Sequence, residues 1–473
     1  MVDKIIQLEK RSKVLEPDHK TRQDWNQQIL NYANQFLDQI DERPAYNEGD
    51  GREVLDLPIT STGHPMAEIL EIIKKGVDHA GINPASGGHL GYIPGGGVYP
   101  TALGDYLAAV TNRYAGIFFA NPGAVRMENF LLRWLCQMIG YPETALGNLA
   151  SGGSIANLMA ITTARDWKEI RSRDVERAVI YLTKQVHHCV HKAIRIAGLG
   201  ESIIRYIPMD ALFQMDAETL RQQVIQDQAA GLKPFLVVAS AGTTDVGAID
   251  PIDAIADVTS AHDLWLHIDA AYGGFFMLLD GMQARFRGIE RSDSLAIDPH
   301  KGLFLSYGLG AVLIKNVKAL ERTHYYRANY MQDAAADDQE ANPADLSPEL
   351  TKHFRGMRMW LALQLFGTDP FIACLEEKHL LAKYFYQEVQ KLGFETGPEP
   401  ALSVVIYRFV PQQGDPDVFN QQIVDLIKKD GRLFVSSTTI NDAFWIRLAV
   451  LSFRTRLWHI KLYLELLKGI VKN

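Results

Sequence analysis

Cysteine is scarce in this chain: Cys136, Cys189 and Cys374 are the only three among 473 residues. An odd, scattered trio builds no disulfide framework and suits a reducing compartment. Blocks of lysine and arginine are missing, and the formal net charge is −8. That balance excludes the basic face a nucleic-acid partner requires. No apolar run approaches the ~18 residues of a membrane span, and the first ten residues lack the apolar heart of a signal peptide. The expectation is a cytoplasmic protein with neither membrane nor nucleic acid as a partner. Two chemical signatures are missing as well. Gly87–Gly97 is rich in glycine but lacks the lysine and hydroxyl of a phosphate loop. His187, His188, Cys189 and His191 sit close together, yet no His-Glu-x-x-His motif exists and no second Cys/His group follows at finger spacing, so no metal is expected.

What is there is an ordinary globular composition, 47% hydrophobic and 22% charged. The length implies two or three domains. Trp25, Ile29, Tyr32, Phe36 and Ile40 recur at helical spacing within the first 45 or so residues, a stripe that must be buried on something else. After a linker with Pro44, Pro58 and Pro65, residues 67–80 read as a helix, as do Glu128 to Ile139. Ala178–Leu182 is an apolar strand. From residue 202 to 262 strands and helices alternate: strands at Ile203–Ile207 and Phe235–Ala239, a helix capped by Asp216, and a helix at Ile252–His262. Such alternation implies a parallel sheet covered on both faces. Gly308–Lys315 is a further strand. Met331–Ser347 loses periodicity and reads as a disordered stretch or a lid. A helix resumes at Phe354–Leu361. The remainder reads as a small α/β domain with strands at Leu402–Phe409, Phe434–Ser437 and Phe444–Phe453.

Two stretches organise the rest. Leu264 to Ile268 is a buried strand that ends on Asp269. Ser294–Tyr307 begins apolar and carries Asp298-Pro-His-Lys301. An acid at a strand's carboxyl end and a lysine in a nearby turn suit a bound cofactor in an α/β protein. A buried salt bridge between Asp269 and a cation is one reading; pyridoxal phosphate (PLP) is the cofactor whose chemistry needs this pair. The amine condenses with its aldehyde, and the acid keeps the pyridine nitrogen protonated so that the ring can act as an electron sink. Ser151-Gly-Gly-Ser154 opens a helical run, and helix N-termini receive phosphate readily.

His-Ile-Asp-Ala-Ala-Tyr and Asp-Pro-His-Lys closely resemble the corresponding words of the group II PLP-dependent amino acid decarboxylases, which act on aromatic amino acids, glutamate or histidine. The resemblance covers nearly the whole chain. It implies the α/β fold type I architecture of PLP-dependent transferases: an N-terminal helical segment (1–80), a large PLP-binding domain with a mostly parallel sheet (81–368) and a small C-terminal domain (369–473). It implies that Lys301 holds PLP as a Schiff base and that Asp269 faces the ring nitrogen. His187 stacks on one ring face, with Ala271 on the other and Thr244 beside the ring. Gly153, Ser154 and His300 take the phosphate. His89, Tyr92, Ile117 and Phe118 are expected at the substrate wall, the last two reaching the partner's pocket in a homodimer across which the N-terminal helices pack. The expected reaction releases carbon dioxide and an amine from an L-amino acid. An aldehyde synthase, a transaminase or lyase, and a catalytically silent PLP-binding paralogue remain alternatives. Burial and neighbouring cationic groups are expected to lower the pKa of Lys301. The family often has Asn at position 298, so Asp298 is expected to turn away from the phosphate or give its charge to a cation. Within the family a loop tyrosine supplies a proton to the reacting carbon. Tyr330, at the edge of Met331–Ser347, is the nearest candidate here.

Overall fold

The computed structural model describes residues 1–325 and 340–472. Its centre is a seven-stranded sheet. In spatial order the strands are Leu146–Ala150, Gly310–Ile314, Ser294–Ile297, Trp265–Asp269, Lys233–Ser240, Ala178–Leu182 and Ile203–Tyr206. Five of these strands are buried along their whole length. Ala-Val-Ile-Tyr-Leu at 178–182 has the continuous apolar character that a strand covered on both faces requires. Helices Gly153–Trp167, Ala217–Ala229 and Ile252–Ala261 alternate with the strands. Asp216 caps the second of these, accepting from the N–H groups of Glu218 and Thr219.

Six strands run in one direction; Gly310–Ile314 alone runs against both its neighbours. The connection from Ile297 to Gly310 contains only the short helix Pro299–Gly302. That is too little chain for a covering crossover, so the strand returns antiparallel.

A second, antiparallel sheet has the order Glu395–Thr396, Val404–Arg408, Ala443–Ala449, Ser436–Ile440. Its last two strands form a hairpin whose tip, Asn441-Asp442, has both φ angles positive (51° and 62°). That is the two-residue turn whose twist matches paired strands. The strand expected at Phe434–Ser437 therefore lies later, at Ser436–Ile440, because the turn sets the register. The helix Asp369–Lys391 serves both cores. Phe371 and Leu375 pack under the large sheet, whereas Leu381, Ala382 and Phe385 join the small one.

The N-terminal stripe lies on the helix His19–Asp38 up to Phe36, with Ile40 buried in the turn beyond it; a separate helix, Val2–Ser12, precedes it, and neither helix has a buried residue. Pro17 and Asp18 divide them, and Asp18 caps the second through the Thr21 N–H. The helix expected over 67–80 is α-helical at Met66–Ile72 and widens to a π-helical turn at Ile73–Asp78. Part of the aperiodic stretch, residues 340–347, is packed against the large domain. Pro343 and Leu346 are buried, Asn148 donates to the Pro343 carbonyl, and Glu340 binds Arg133 at 2.7 Å. Its lack of periodicity reflects a 3₁₀ turn held by side chains, so residues 340–347 are ordered against the large domain. Among the described residues, no helix is long and apolar enough to cross a membrane.

Candidate active site

Because six strands are parallel, their carboxyl ends share one edge of the sheet, and ligands bind beyond that edge. Here it bounds a cavity of about 430 Å³. The loop after Ala150 contributes Gly153 and Ser154, the turn after Lys233–Ser240 contributes Thr244, and the Trp265–Asp269 strand contributes its last residue and Ala271. His300 and Lys301 follow Ser294–Ile297, and His187 follows Ala178–Leu182. All eight line the one cavity. His89, Tyr92, Ile117 and Phe118 do not line it in the single chain. His89 is buried against the Phe434 ring, Tyr92 is exposed, and Ile117 and Phe118 are buried in their own chain. The Phe118 N–H donates to Asn342 Oδ1. Tyr330 lies outside the described residues.

Asp269 is held on both oxygens. Oδ1 accepts from the Ala271 N–H at 3.1 Å and Oδ2 from Asn157 Nδ2 at 3.3 Å. One strand over, Asp298 is 1% exposed, and its Oδ2 lies 3.1 Å from Lys301 Nζ and 3.8 Å from His300 Nε2. Its charge thus meets a cation, as expected of a carboxylate at this position. The effect on the lysine runs against expectation. Burial disfavours the ammonium, but the Asp298 and Asp269 carboxylates outweigh it, so the Lys301 pKa is raised. The neighbours that decide the sign are anions.

His187 is the N-cap of helix His188–Ile196, and its Nδ1 accepts from the Cys189 N–H. That bond leaves the ring hydrogen on Nε2, and burial lowers the pKa against the pull of Asp269. His300 donates from Nδ1 to the Leu309 carbonyl at 2.6 Å, which fixes its ring; Nε2 becomes a donor to an anion only when the ring is protonated. Burial lowers its pKa also.

The residues fit PLP. Helix Gly153–Trp167 opens on the cavity with no side-chain cap, leaving first-turn N–H groups for a phosphate. A Cβ on Gly153 would stand 2.9 Å from Asp298 Oδ2 and 3.1 Å from the Ala271 Cβ. Only glycine keeps that passage open. A lysine amine and an acid at the end of the adjoining strand complete the set for an aldehyde and a pyridinium. PLP supplies an aldehyde that captures amines and a ring that accepts the electron pair left when carbon dioxide departs.

The sequence reading passed over several residues of the site. Asn157 and Tyr307 line the cavity, although Tyr307 ends a stretch singled out above and Asn157 stands three residues past Ser154. Asn157 is four residues from Gly153 and donates to its carbonyl, so helical spacing was a usable signal. Arg447, from the small sheet, donates to the carbonyls of Thr244 and Tyr92 and so ties that sheet to the rim of the site. No local pattern marks it.

Residues 57–410 match the model of the pyridoxal-dependent decarboxylase conserved domain. An aromatic-L-amino-acid decarboxylase of Bacillus atrophaeus is 32% identical over 410 residues, covering 85% of each chain. A phenylacetaldehyde synthase of Arabidopsis thaliana is 25% identical over 469 residues, 95% of this chain and 96% of that one. The crystal structure of Oryza sativa TDC with PLP and tryptamine superposes with a TM-score of 0.91 over 97% of this chain and 99% of that one, at 24% identity; this likeness is one of fold. The strand-end acid, the turn lysine and the helix N-terminus thus stand in the fold and the family to which their chemistry points: the chain belongs to the pyridoxal-dependent decarboxylases and is a PLP-dependent amino acid carboxy-lyase.

Proposed function

We propose that Lys301 is the residue that captures the PLP aldehyde, that Asp269 holds the pyridine nitrogen in its protonated form, and that the product is the amine of an L-amino acid. The observation that carries this is a single cavity with three ends of different character. It has a lysine amine, a carboxylate at the neighbouring strand end and an uncapped helix N-terminus. Aldehyde, pyridinium and phosphate need those three groups. Gly153, Ser154 and His300 are assigned to the phosphate. His187 and Ala271 are assigned to opposite ring faces and Thr244 to the ring's edge. The Nε2–H of His187 is then the donor available to a substrate carboxylate. His89, Tyr92, Ile117 and Phe118 are assigned to the substrate wall of a homodimer. The two N-terminal helices support the dimer, because Ile5, Ile6, Trp25, Ile29 and Leu30 are all more than 40% exposed in one chain. Cytoplasmic residence suits the free thiols of Cys136, Cys189 and Cys374.

The test is reconstitution with PLP, followed by a panel of L-amino acids scored for carbon dioxide, amine, peroxide and ammonia. A yellow protein that borohydride bleaches, releasing one amine per carbon dioxide, is the expected result. Peroxide and ammonia in step with carbon dioxide would favour the aldehyde-forming reading that the similarity to a phenylacetaldehyde synthase brings in.

A further inference from the structure

Behind Asp269 runs a buried chain of four side chains that the assigned chemistry does not use. Trp265 Nε1 lies 2.8 Å from Ser294 Oγ. Ser294 Oγ lies 2.9 Å from His267 Nδ1. His267 Nε2 lies 2.7 Å from Asn157 Oδ1. Asn157 Nδ2 then reaches Asp269 Oδ2. Trp265, His267 and Asp269 stand on one strand, Ser294 on the next, and Asn157 on the helix that covers them. His267, Ser294 and Asn157 are 0% exposed.

The two ends of this chain determine the hydrogens between them. An indole N–H can only donate, and a carboxylate can only accept. Ser294 must therefore accept from Trp265 and pass its own hydrogen to His267 Nδ1. The imidazole hydrogen then sits on Nε2 and goes to the Asn157 oxygen, which turns the amide's NH₂ toward Asp269. One arrangement satisfies every member. A doubly protonated His267 breaks its direction, since Nδ1 would then donate to Ser294 and the serine hydrogen would lose its acceptor in the chain. Burial keeps the ring neutral, its pKa pushed down to about 4.

We infer that Trp265, Ser294, His267 and Asn157 act as a one-way hydrogen-bond relay that orients the Asp269 carboxylate toward the cofactor nitrogen. They are positioning residues, and the inference rests on the assignment of Asp269 to that nitrogen. Neutral members deliver oriented dipoles without a counter-charge, so the acid keeps its full charge for the pyridinium. Without the Ser294 hydroxyl, the imidazole is free to move its hydrogen to Nδ1. The Asn157 oxygen then loses its donor, and only the bond from its NH₂ to the Gly153 carbonyl still holds the amide's direction.

The experiment uses the holoenzyme loaded with PLP labelled with ¹⁵N at the pyridine nitrogen. The nitrogen chemical shift and PLP affinity are read for wild type, Ser294→Ala, Ser294→Thr and Trp265→Phe, with circular dichroism melting as a check on folding. Wild type is expected to show a protonated nitrogen. Ser294→Ala is expected to move the shift toward the unprotonated position and to weaken PLP binding about tenfold, the usual effect of removing a group behind a ligand. Ser294→Thr restores both, because it restores the hydroxyl. Trp265→Phe gives a smaller change of the same sign, since Ser294 can still donate; it also carries the test if Ser294→Ala does not fold. A Ser294→Ala protein that binds PLP with a wild-type nitrogen shift overturns the relay, whether or not it melts earlier. A wild-type protein that takes up PLP but shows an unprotonated nitrogen overturns the role of Asp269 and the relay with it. One that takes up no PLP overturns the functional reading itself.

Discussion

Asp269 and Asp298 stand at the ends of neighbouring strands, yet one is held and the other is poised. Asp269 gives both oxygens to N–H donors of its own fold, and the donor behind it is backed by three further side chains. Asp298 gives one oxygen to Lys301, while the other is buried with no hydrogen-bond partner among the described residues. Leaving a buried acceptor unpaired costs about 1–3 kcal/mol. A Cβ on Gly310 would lie 2.5 Å from that oxygen, so backbone crowds it without satisfying it. The contrast separates two uses of charge. On the proposed assignment of Asp269, a carboxylate that must keep facing one nitrogen is built into a network. On the proposed assignment of Lys301 to the aldehyde, a carboxylate whose partner must change its bonding is left with a single tie.

The sharpest way to break the comparison is to remove Lys301, which pairs with Asp298 and feels the charge of both acids. Lys301→Ala should lower carbon dioxide release by on the order of 10⁴-fold. The protein should stay folded and retain PLP that borohydride cannot fix. Residual turnover near wild type would show that another amine does the work. Asp269→Asn comes next. It keeps the shape and loses the charge, and should slow turnover by on the order of 10³-fold while weakening PLP binding. Equal rates in the two proteins would remove Asp269 from the ring nitrogen.

The network around Asp269 also predicts a pH signature for stability. His267 ordinarily titrates near 6.5, but in the fold it is held neutral down to about 4. Between those values the unfolded chain binds more protons than the folded one, so stability falls as the pH drops from about 6.5 to about 4. The loss from this residue is about 3 kcal/mol. Urea unfolding at stepped pH measures it, and His267→Gln should flatten that part of the curve. His89, held down to about 4 by burial, contributes in the same direction and remains in the variant.

The smallest effect is on the other acid. Asp298→Asn removes the nearest carboxylate raising the Lys301 pKa, so more of the amine is neutral at a given pH. PLP should attach a few-fold faster near neutrality, and the pH midpoint of attachment should move down. Growth of the visible band after adding PLP to the apoprotein reads both. An unchanged midpoint would mean that Asp298 does not govern the lysine.

The parts of the site that are local in the chain were legible in sequence. Asp269 ends an apolar strand, Lys301 follows another, and Gly153-Ser154 opens a helix, so each announces itself within a few residues. The alternation from 202 to 262 implied the parallel sheet, and the sheet brought those strand ends together. What was hidden depends on distant pairings. Asn157 meets His267 only because a helix lies across the sheet, and neither residue stands out alone. The direction of the Lys301 shift needed the distances to two carboxylates, although Asp298 was visible three residues away. The hairpin strand at Ser436–Ile440 was misplaced because Ser-Ser-Thr-Thr carries little apolar signal, while its Asn-Asp turn was the better guide.

The antiparallel strand Gly310–Ile314 has a consequence for how the protein is made. Leu146–Ala150 is an edge strand whose sole neighbour in the sheet is Gly310–Ile314, with Asn148 opposite Val312. During translation that edge and the glycine loop after it emerge long before the strand that anchors them. At roughly 5–20 residues per second the wait is on the order of ten seconds. Until then Leu146–Ala150 has no strand to pair with in the sheet. In chain order, then, the pairing of Gly310–Ile314 with both its neighbours is the last needed to close the sheet beneath the site.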